Sequence, residues 1–369
     1  MKFKEIKVRN QNSSYSIIIG VNILGVLSKK IKSTCPEAKK IGVIIDSKVP
    51  KYLKSKILKI LKGYKLFVFE YSTSENLKSF KNANMLAEKC LKNKFNRSDI
   101  LIAVGGGVIG DFTGFVSSIV KRGLNFINIP TTLLAQVDSS VGGKTGVNSQ
   151  YGKNLVGTFY QPKLVISDSI FLRSLPKREV ICGYAEVLKH SLILENNFFK
   201  WIQKNSKKIL ENKDLNFANE AIYKSCKIKL FFVNKDVSEK NSRMILNFGH
   251  TFAHAIESKN KFSNKINHGE AVLIGMMMAT KLSKLLGVTS KKTLDLVKNV
   301  YSNNNINYDI SNYFSAKDLP RLTNFMLNDK KNNDFKISLI LLKSIGKTTA
   351  PGKFKITLNR MQKLIPKII

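Results

Sequence analysis

The sequence predicts two domains: an α/β unit on a mostly parallel sheet, followed by an all-α unit that carries a metal site. Three observations predict this. Short apolar runs rich in β-branched or aromatic residues alternate with amphipathic stretches as far as Asp168. Beyond Asp168, long helical patterns dominate, and three of the four histidines cluster there. The length, 369 residues, exceeds what a single hydrophobic core usually supports. The boundary is placed between residues 168 and 169.

In chain order, Lys4 to Val8 and Tyr15 to Ile19 read as extra strands. Ile41 to Ile45 (IGVII), Leu66 to Phe69 (LFVF), Ile100 to Val104 (ILIAV) and Phe126 to Ile129 (FINI) read as buried strands. Val49 to Leu61 and Leu77 to Leu91 have helical spacing between them, which implies crossover helices on a parallel sheet. In the second half, helical patterns cover Pro176 to Leu194, Phe198 to Ile209, Ala218 to Val233, Leu246 to Glu257 and His268 to Leu286. Ser338 to Leu342 reads as an isolated strand.

Composition narrows the function classes. With 43% hydrophobic and 24% charged residues the chain is neither disordered nor collagen-like. It holds no apolar run long enough for a membrane span and no apolar signal region, so a cytoplasmic setting is expected. Cys35, Cys90, Cys182 and Cys226 lie far apart and form no CxxC pair, which argues for free thiols. The formal charge of +37 raises nucleic-acid binding as an option. Against it, the basic residues are spread along the chain, and only eight are Arg. No nucleic-acid partner is expected; attraction of small acidic substrates is.

Gly105, Gly106 and Gly107 directly follow the ILIAV strand, with a helix expected from near Gly110 or Asp111. Such a junction lets backbone N–H groups approach a pyrophosphate, although a tight structural turn would read the same. Asp46 ends the IGVIID strand, where a carboxylate can hold a ribose hydroxyl, and Thr131 and Thr132 follow FINIP. All sit at strand carboxyl ends, where open α/β sheets bind ligands.

His250 and His254 are four apart and share a helical face, and His268 opens the next helix. Two imidazoles with a carboxylate and an open position form a catalytic zinc pattern. Glu186 is a candidate carboxylate, with Lys189 one turn on. The other reading makes these histidines core or capping groups. A third cluster, TTLLAQVDSSVGGKTGVNSQYGKNLVG, offers Asp138 and turn-borne Lys144, Lys153 and Asn154 for an anion. Arg243 stands seven residues before His250, two helical turns away on the same face, and Asn247 lies about one turn before His250.

Together these segments resemble the 3-dehydroquinate synthase family. The resemblance is carried by GGGVIGDFTGFVSS, IPTTLLAQVDSSVGGKTGVN, GKNLVGTFYQP, LPKREVICGYAEVLKH, RMILNFGHTFAHAIE, HGEAVLIGMMMA, and NDKKN followed by IGK. The GGG turn and paired histidines are also similar to iron-dependent alcohol and glycerol dehydrogenases; the VDSSVGGKT, GKN and RxxLNxGHT segments are not.

The resemblance implies a Rossmann-like NAD-binding domain over 1–168 and a helical metal- and substrate-binding domain over 169–369. It implies a lyase of the shikimate pathway that turns 3-deoxy-D-arabino-heptulosonate 7-phosphate into 3-dehydroquinate and phosphate. The implied steps are transient oxidation by NAD, phosphate elimination, re-reduction, ring opening and an intramolecular aldol closure. Glu186, His250 and His268 would ligate Zn2+ or Co2+, leaving His254 as a substrate or proton-relay contact. Asp138, Lys189 and Asn154 would meet ring hydroxyls, and Lys229 and Arg243 the carboxylate. Lys144, Asn154, Asn247 and Lys330 or Lys331 would hold the phosphate, with Glu239 orienting these cations. Arg122 would reach the neighbouring site of a homodimer. Asp46, Glu75, Lys78, Gly105, Gly106, Gly107, Val108, Asp111, Thr131, Thr132, Lys144 and Lys153 would line the NAD site. Another sugar-phosphate cyclase or a glycerol-dehydrogenase-like polyol oxidoreductase is the alternative function.

Overall fold

The computed structural model describes residues 2–10, 13–260, 265–314, 318–327 and 336–369. The chain forms two compact units, Met1–Val180 with Asn212–Leu230, and Ile181–Glu211 with Phe231–Ile369.

The first unit is built on a seven-stranded sheet: β1 (Phe3–Asn10), β2 (Ser13–Gly20), β3 (Lys40–Asp46), β4 (Lys65–Tyr71), β5 (Ile100–Gly105), β6 (Asn125–Pro130) and, beyond the hairpin of β7 (Lys144–Ser149) and β8 (Gly152–Phe159), β9 (Leu164–Asp168). The spatial order is β1-β2-β9-β6-β5-β3-β4, parallel throughout except for β1 against β2. Successive strand residues face opposite sides of a sheet. Ile41, Val43, Ile45, Ile100, Ile102 and Val104 pack with α1 (Leu27–Thr34) and α2 (Lys51–Ile60). Ile44, Leu101 and Ala103 pack on the other face with α3 (Phe80–Lys92) and α4 (Gly107–Ile119).

Three first-unit expectations are corrected. β4 is an edge strand with none of its residues fully buried, because only β3 pairs with it. The helix after the glycine turn begins at Gly107, three residues before the expected start, with Gly106 as an extended N-cap. Lys144, Lys153 and Asn154 are borne by the strands of the β7–β8 hairpin rather than by turns.

The later helices are α5 (Lys177–Ile193), α6 (Asn196–Glu211), α7 (Leu215–Lys235), α8 (His250–Lys259), α9 (His268–Leu285), α10 (Lys291–Ser302), α11 (Leu319–Leu327) and α12 (Leu358–Leu364). Most of α7 belongs to the first unit. The second unit is helical and adds two ribbons. These pair β10 (Lys336–Leu339) with β13 (Phe354–Thr357), and β11 (Leu342–Ser344) with β12 (Lys347–Thr348). Ser338 to Leu342 is thus shared between two paired strands instead of forming one isolated strand.

The helix expected from Leu246 is broken. Ser242–Asn247 is a 3-10 turn, and Gly249 adopts a left-handed conformation (φ 81°) before α8 starts at His250. That φ suits glycine, and a Cβ there would press on Met276 of α9, 2.8 Å from its backbone nitrogen. Arg243 is therefore not on a common helical face with His250. Asn267 and Glu270 form a capping box that starts α9 at His268: Asn267 Oδ1 accepts from Glu270 N at 2.8 Å, and Glu270 Oε2 from Asn267 N at 2.9 Å. Among the described residues no helix is long and apolar enough to cross a membrane.

Candidate active site

In the first unit the parallel register gathers the predicted dinucleotide residues. Ile45 pairs with Val104, and Gly105 with Pro130. Asp46, Gly105 to Gly107, Thr131 and Thr132 therefore leave the sheet side by side at its carboxyl edge. Thr131 N donates to Gly105 O at 2.9 Å. The first turn of α4, which includes Gly107 and Val108, has no side-chain cap, so its N–H groups are available to an anion. Asp46 is nearly buried and accepts from Lys48 N at 2.9 Å.

Tyr71 at the end of β4 pairs with Asp46, and Glu75 and Lys78 follow it at the same edge. Lys78 is buried, so its charge needs partners. Its Nζ donates to Asp111 Oδ2 at 2.7 Å and to Asn154 Oδ1. Burial pushes the Asp111 carboxyl above the ordinary range, and the Lys78 charge partly offsets that. Lys153 Nζ lies 3.7 Å from Glu75 Oε1. Asn148 Nδ2 donates to Glu75 Oε2 at 2.9 Å, and Asn148 N to Lys78 O at 2.7 Å. The hairpin is thereby tied to the segment after β4. Lys144 opens the hairpin with its side chain exposed. Lys229 Nζ pairs with Asp138 Oδ1 at 2.8 Å. Arg122 is exposed and holds a left-handed φ of 60°, and Asn154 one of 54°. Non-glycine residues in that region are strained.

The second unit brings together the three predicted metal ligands. Glu186 on α5, His250 on α8 and His268 on α9 offer one atom each, all within 4.8 Å of one another. Glu186 Oε1 lies 3.6 Å from His250 Nε2 and 3.9 Å from His268 Nε2. Lys189 Nζ pairs with the other oxygen, Oε2, so the two carboxylate oxygens face different partners. The ring atoms opposite Nε2 are also engaged. His250 Nδ1 lies 3.4 Å from Phe248 O, and His268 Nδ1 lies 3.4 Å from Glu257 Oε2. With Nδ1–H donating in each ring, both Nε2 lone pairs are left to point at an ion. Tetrahedral ligands at roughly 2.0–2.1 Å from zinc stand about 3.3 Å apart. The two separations from Glu186 Oε1 need about 0.3 and 0.6 Å of contraction, and the three residues fit a divalent ion. Burial alone would lower the pKa of His268, but the hydrogen bond to Glu257 and the charges of Glu257 and Glu186 raise it.

His254 stacks edge-to-face on His250, with ring centroids 5.5 Å apart. Arg243 is buried, and its Nη1 donates to Val237 O at 2.8 Å. Burial would push the Asp236 carboxyl up, but the N–H groups of Asn241, Lys240 and Arg243, together with the guanidinium, hold it below its ordinary value. Asn247 Nδ2 donates to Glu239 Oε1 at 2.9 Å. Lys330 and Lys331 lie outside the described residues.

Two residues escaped the sequence reading. Glu257 orients His268; its spacing of seven from His250 places it on the same face of α8 and could have flagged it. Asn148, which fastens the hairpin, carries no such signal.

A parallel α/β unit followed by a helical unit is the fold this chain shares with solved sugar-phosphate cyclases. A solved 2-deoxy-scyllo-inosose synthase, complexed with carbaglucose-6-phosphate, NAD+ and Co2+, is 25% identical with a TM-score of 0.87, over 99% of this chain and 100% of that one. Within that class the sequence is more specific. Residues 68–182 match the 3-dehydroquinate synthase N-terminal family and residues 183–332 the C-terminal family. A 3-dehydroquinate synthase of Pelagibacter ubique is 49% identical over 93% of both chains, and one of Campylobacter fetus 41% over the same shares. The chain belongs to the 3-dehydroquinate synthase family.

Proposed function

We propose that this enzyme converts 3-deoxy-D-arabino-heptulosonate 7-phosphate into 3-dehydroquinate and inorganic phosphate. The observation that carries this reading is the convergence of Glu186, His250 and His268, with Lys189 on the free carboxylate oxygen. When bound, NAD supplies reversible hydride acceptance and a divalent ion, Zn2+ or Co2+, supplies Lewis acidity toward substrate hydroxyls.

The chain's own residues position and polarise. Glu186, His250 and His268 hold the ion, and Glu257 and the Phe248 carbonyl fix the two imidazole tautomers. Asp46 takes ribose hydroxyls, while Gly105 to Val108 and the α4 N-terminus take the pyrophosphate. Glu75, Lys78, Asp111, Thr131, Thr132, Lys144 and Lys153 complete the NAD contacts. Lys189, Asp138 and Asn154 contact the ring hydroxyls, with His254 as a substrate or proton-relay contact. Lys229 and Arg243 take the carboxylate; a buried guanidinium such as that of Arg243 suits an anion. Lys144, Asn154 and Asn247 hold the phosphate, with Glu239 aligning Asn247. Lys330 or Lys331, and Arg122 from a second copy in a homodimer, join them. The functional division falls at 168–169, and the enzyme works in the cytoplasm.

The test follows phosphate release and absorbance at 340 nm together, with NAD added. Phosphate release from the carboxylated heptulosonate without NADH accumulation is expected. NADH accumulation would indicate a polyol dehydrogenase. Faster turnover of a sugar phosphate lacking the carboxylate would indicate a different cyclase.

A further inference from the structure

Glu186 and His268 lie on different helices, so their separation depends on how closely α5 and α9 approach. The point of approach is one residue from His268 and one helical turn from Glu186. A Cβ built on Gly269 would collide with Cys182 Cα, and would stand 2.5 Å from the Cys182 carbonyl oxygen and 2.7 Å from its carbonyl carbon. All three atoms are backbone, so no side-chain rotation relieves the contact. Gly269 N also donates to Cys182 Sγ at 3.3 Å. That N–H belongs to the first turn of α9, where no intrahelical acceptor exists. Cys182 and Glu186 are four residues apart on α5 and share a face.

We propose that Cys182 and Gly269 form a clasp whose job is to set the distance between the Glu186 carboxylate and the His268 imidazole, making both positioning residues for the metal. This rests on the metal-binding reading of the site. The clasp has two components: the missing side chain of Gly269 lets the helices touch, and the Cys182 sulfur anchors the first turn of α9.

The distances show how sensitive the ligand set is. Non-bonded carbon atoms rest about 3.5–4.0 Å apart. A methyl group at position 269 must therefore push the start of α9 about 1 Å from α5. Glu186 Oε1 and His268 Nε2, now 3.9 Å apart, need to contract to hold an ion; the methyl drives them the other way. Glu186 and His250 face each other across a different helix pair, α5 and α8. The clasp acts on the ligand triangle at its His268 corner.

The experiment titrates Co2+ into metal-free protein against a chelating dye, and records thermal melting of the same metal-free samples. Gly269→Ala is expected to weaken Co2+ binding by roughly 10–100-fold, the range seen when groups that orient ligands are altered. Cys182→Ala adds no atoms and removes only the sulfur acceptor, and is expected to weaken binding by about threefold to tenfold, the worth of one hydrogen bond. Leu282→Ala, a cavity on the same helix far from the ligands, is the control: it should lower the melting temperature and leave Co2+ affinity unchanged. If Leu282→Ala weakens Co2+ binding as much as the clasp variants, or if both clasp variants bind within twofold of wild type, the clasp is overturned. Should Gly269→Ala fail to fold, Cys182→Ala decides alone, and unchanged affinity there overturns the proposal. Absence of Co2+ binding by the wild-type chain is a different result, which sinks the metal-site reading itself.

Discussion

Replacing Glu257 should weaken metal binding without removing a ligand. Its side chain is only 12% exposed, and its carboxylate sits 3.4 Å from His268 Nδ1, on the ring edge opposite Nε2. Hydrogen bonds to charged groups are worth about 1.5–3 kcal/mol, and at this length the lower end applies. Glu257→Gln keeps an oxygen that can accept from Nδ1–H and loses the charge. The expected loss is about 1.4 kcal/mol, or tenfold in affinity. Glu257→Ala loses the acceptor as well, lets the ring turn, and should approach 100-fold. Competition between the protein and a chelating dye for Co2+ and Zn2+ at neutral pH reads both values. Affinities within twofold of wild type for both variants would refute the orienting role and the tautomer assignment built on it.

Further outcomes follow from other parts of the molecule. Asp168 accepts from Asn22 N at 2.7 Å and Ile170 N at 3.0 Å through one oxygen, and from Ile23 N at 2.6 Å and Leu24 N at 3.1 Å through the other. Asp168→Asn leaves two N–H groups facing an amide, and should cost about 3 kcal/mol in urea unfolding; a loss below about 1 kcal/mol would contradict this. The Asp236 carboxyl is held low in the folded state, so its contribution to stability is present above the unfolded value of about 3.9 and is lost as pH falls through the folded value. The melting-temperature gap between wild type and Asp236→Asn should thus be constant above about pH 5 and close in stronger acid; a gap that widens there would reverse the sign. Lys144→Ala should abolish phosphate release and leave bound metal unchanged, and normal turnover would remove Lys144 from the site.

The parallel sheet was legible because its inner strands are short and apolar on both faces, as in IGVII and ILIAV. β4 misled because LFVF has the same composition at an edge, where only pairing order decides burial. The β7–β8 hairpin was invisible: its strands are rich in Gly, Lys and Asn, and Thr145 and Thr158 bond across it through side chains at 2.9 Å. The break before α8 was hidden by apolar spacing that runs on through Phe248, and it depends on Gly249 meeting Met276 from another helix. The cluster of Glu186, His250 and His268 could be anticipated because histidine is scarce in this chain and the motifs are specific. Glu257 could have been flagged by its spacing of seven from His250, whereas the Cys182–Gly269 contact could not, since it forms only when two helices far apart in sequence come together.

Turnover before and after metal removal tests the central claim most directly. Protein stripped with a chelator and supplied with NAD and the heptulosonate phosphate should release no phosphate, and about one equivalent of Zn2+ or Co2+ per chain should restore release in wild type but not in His250→Ala. Undiminished phosphate release from the stripped protein, or full restoration in His250→Ala at the same metal concentration, would contradict the account.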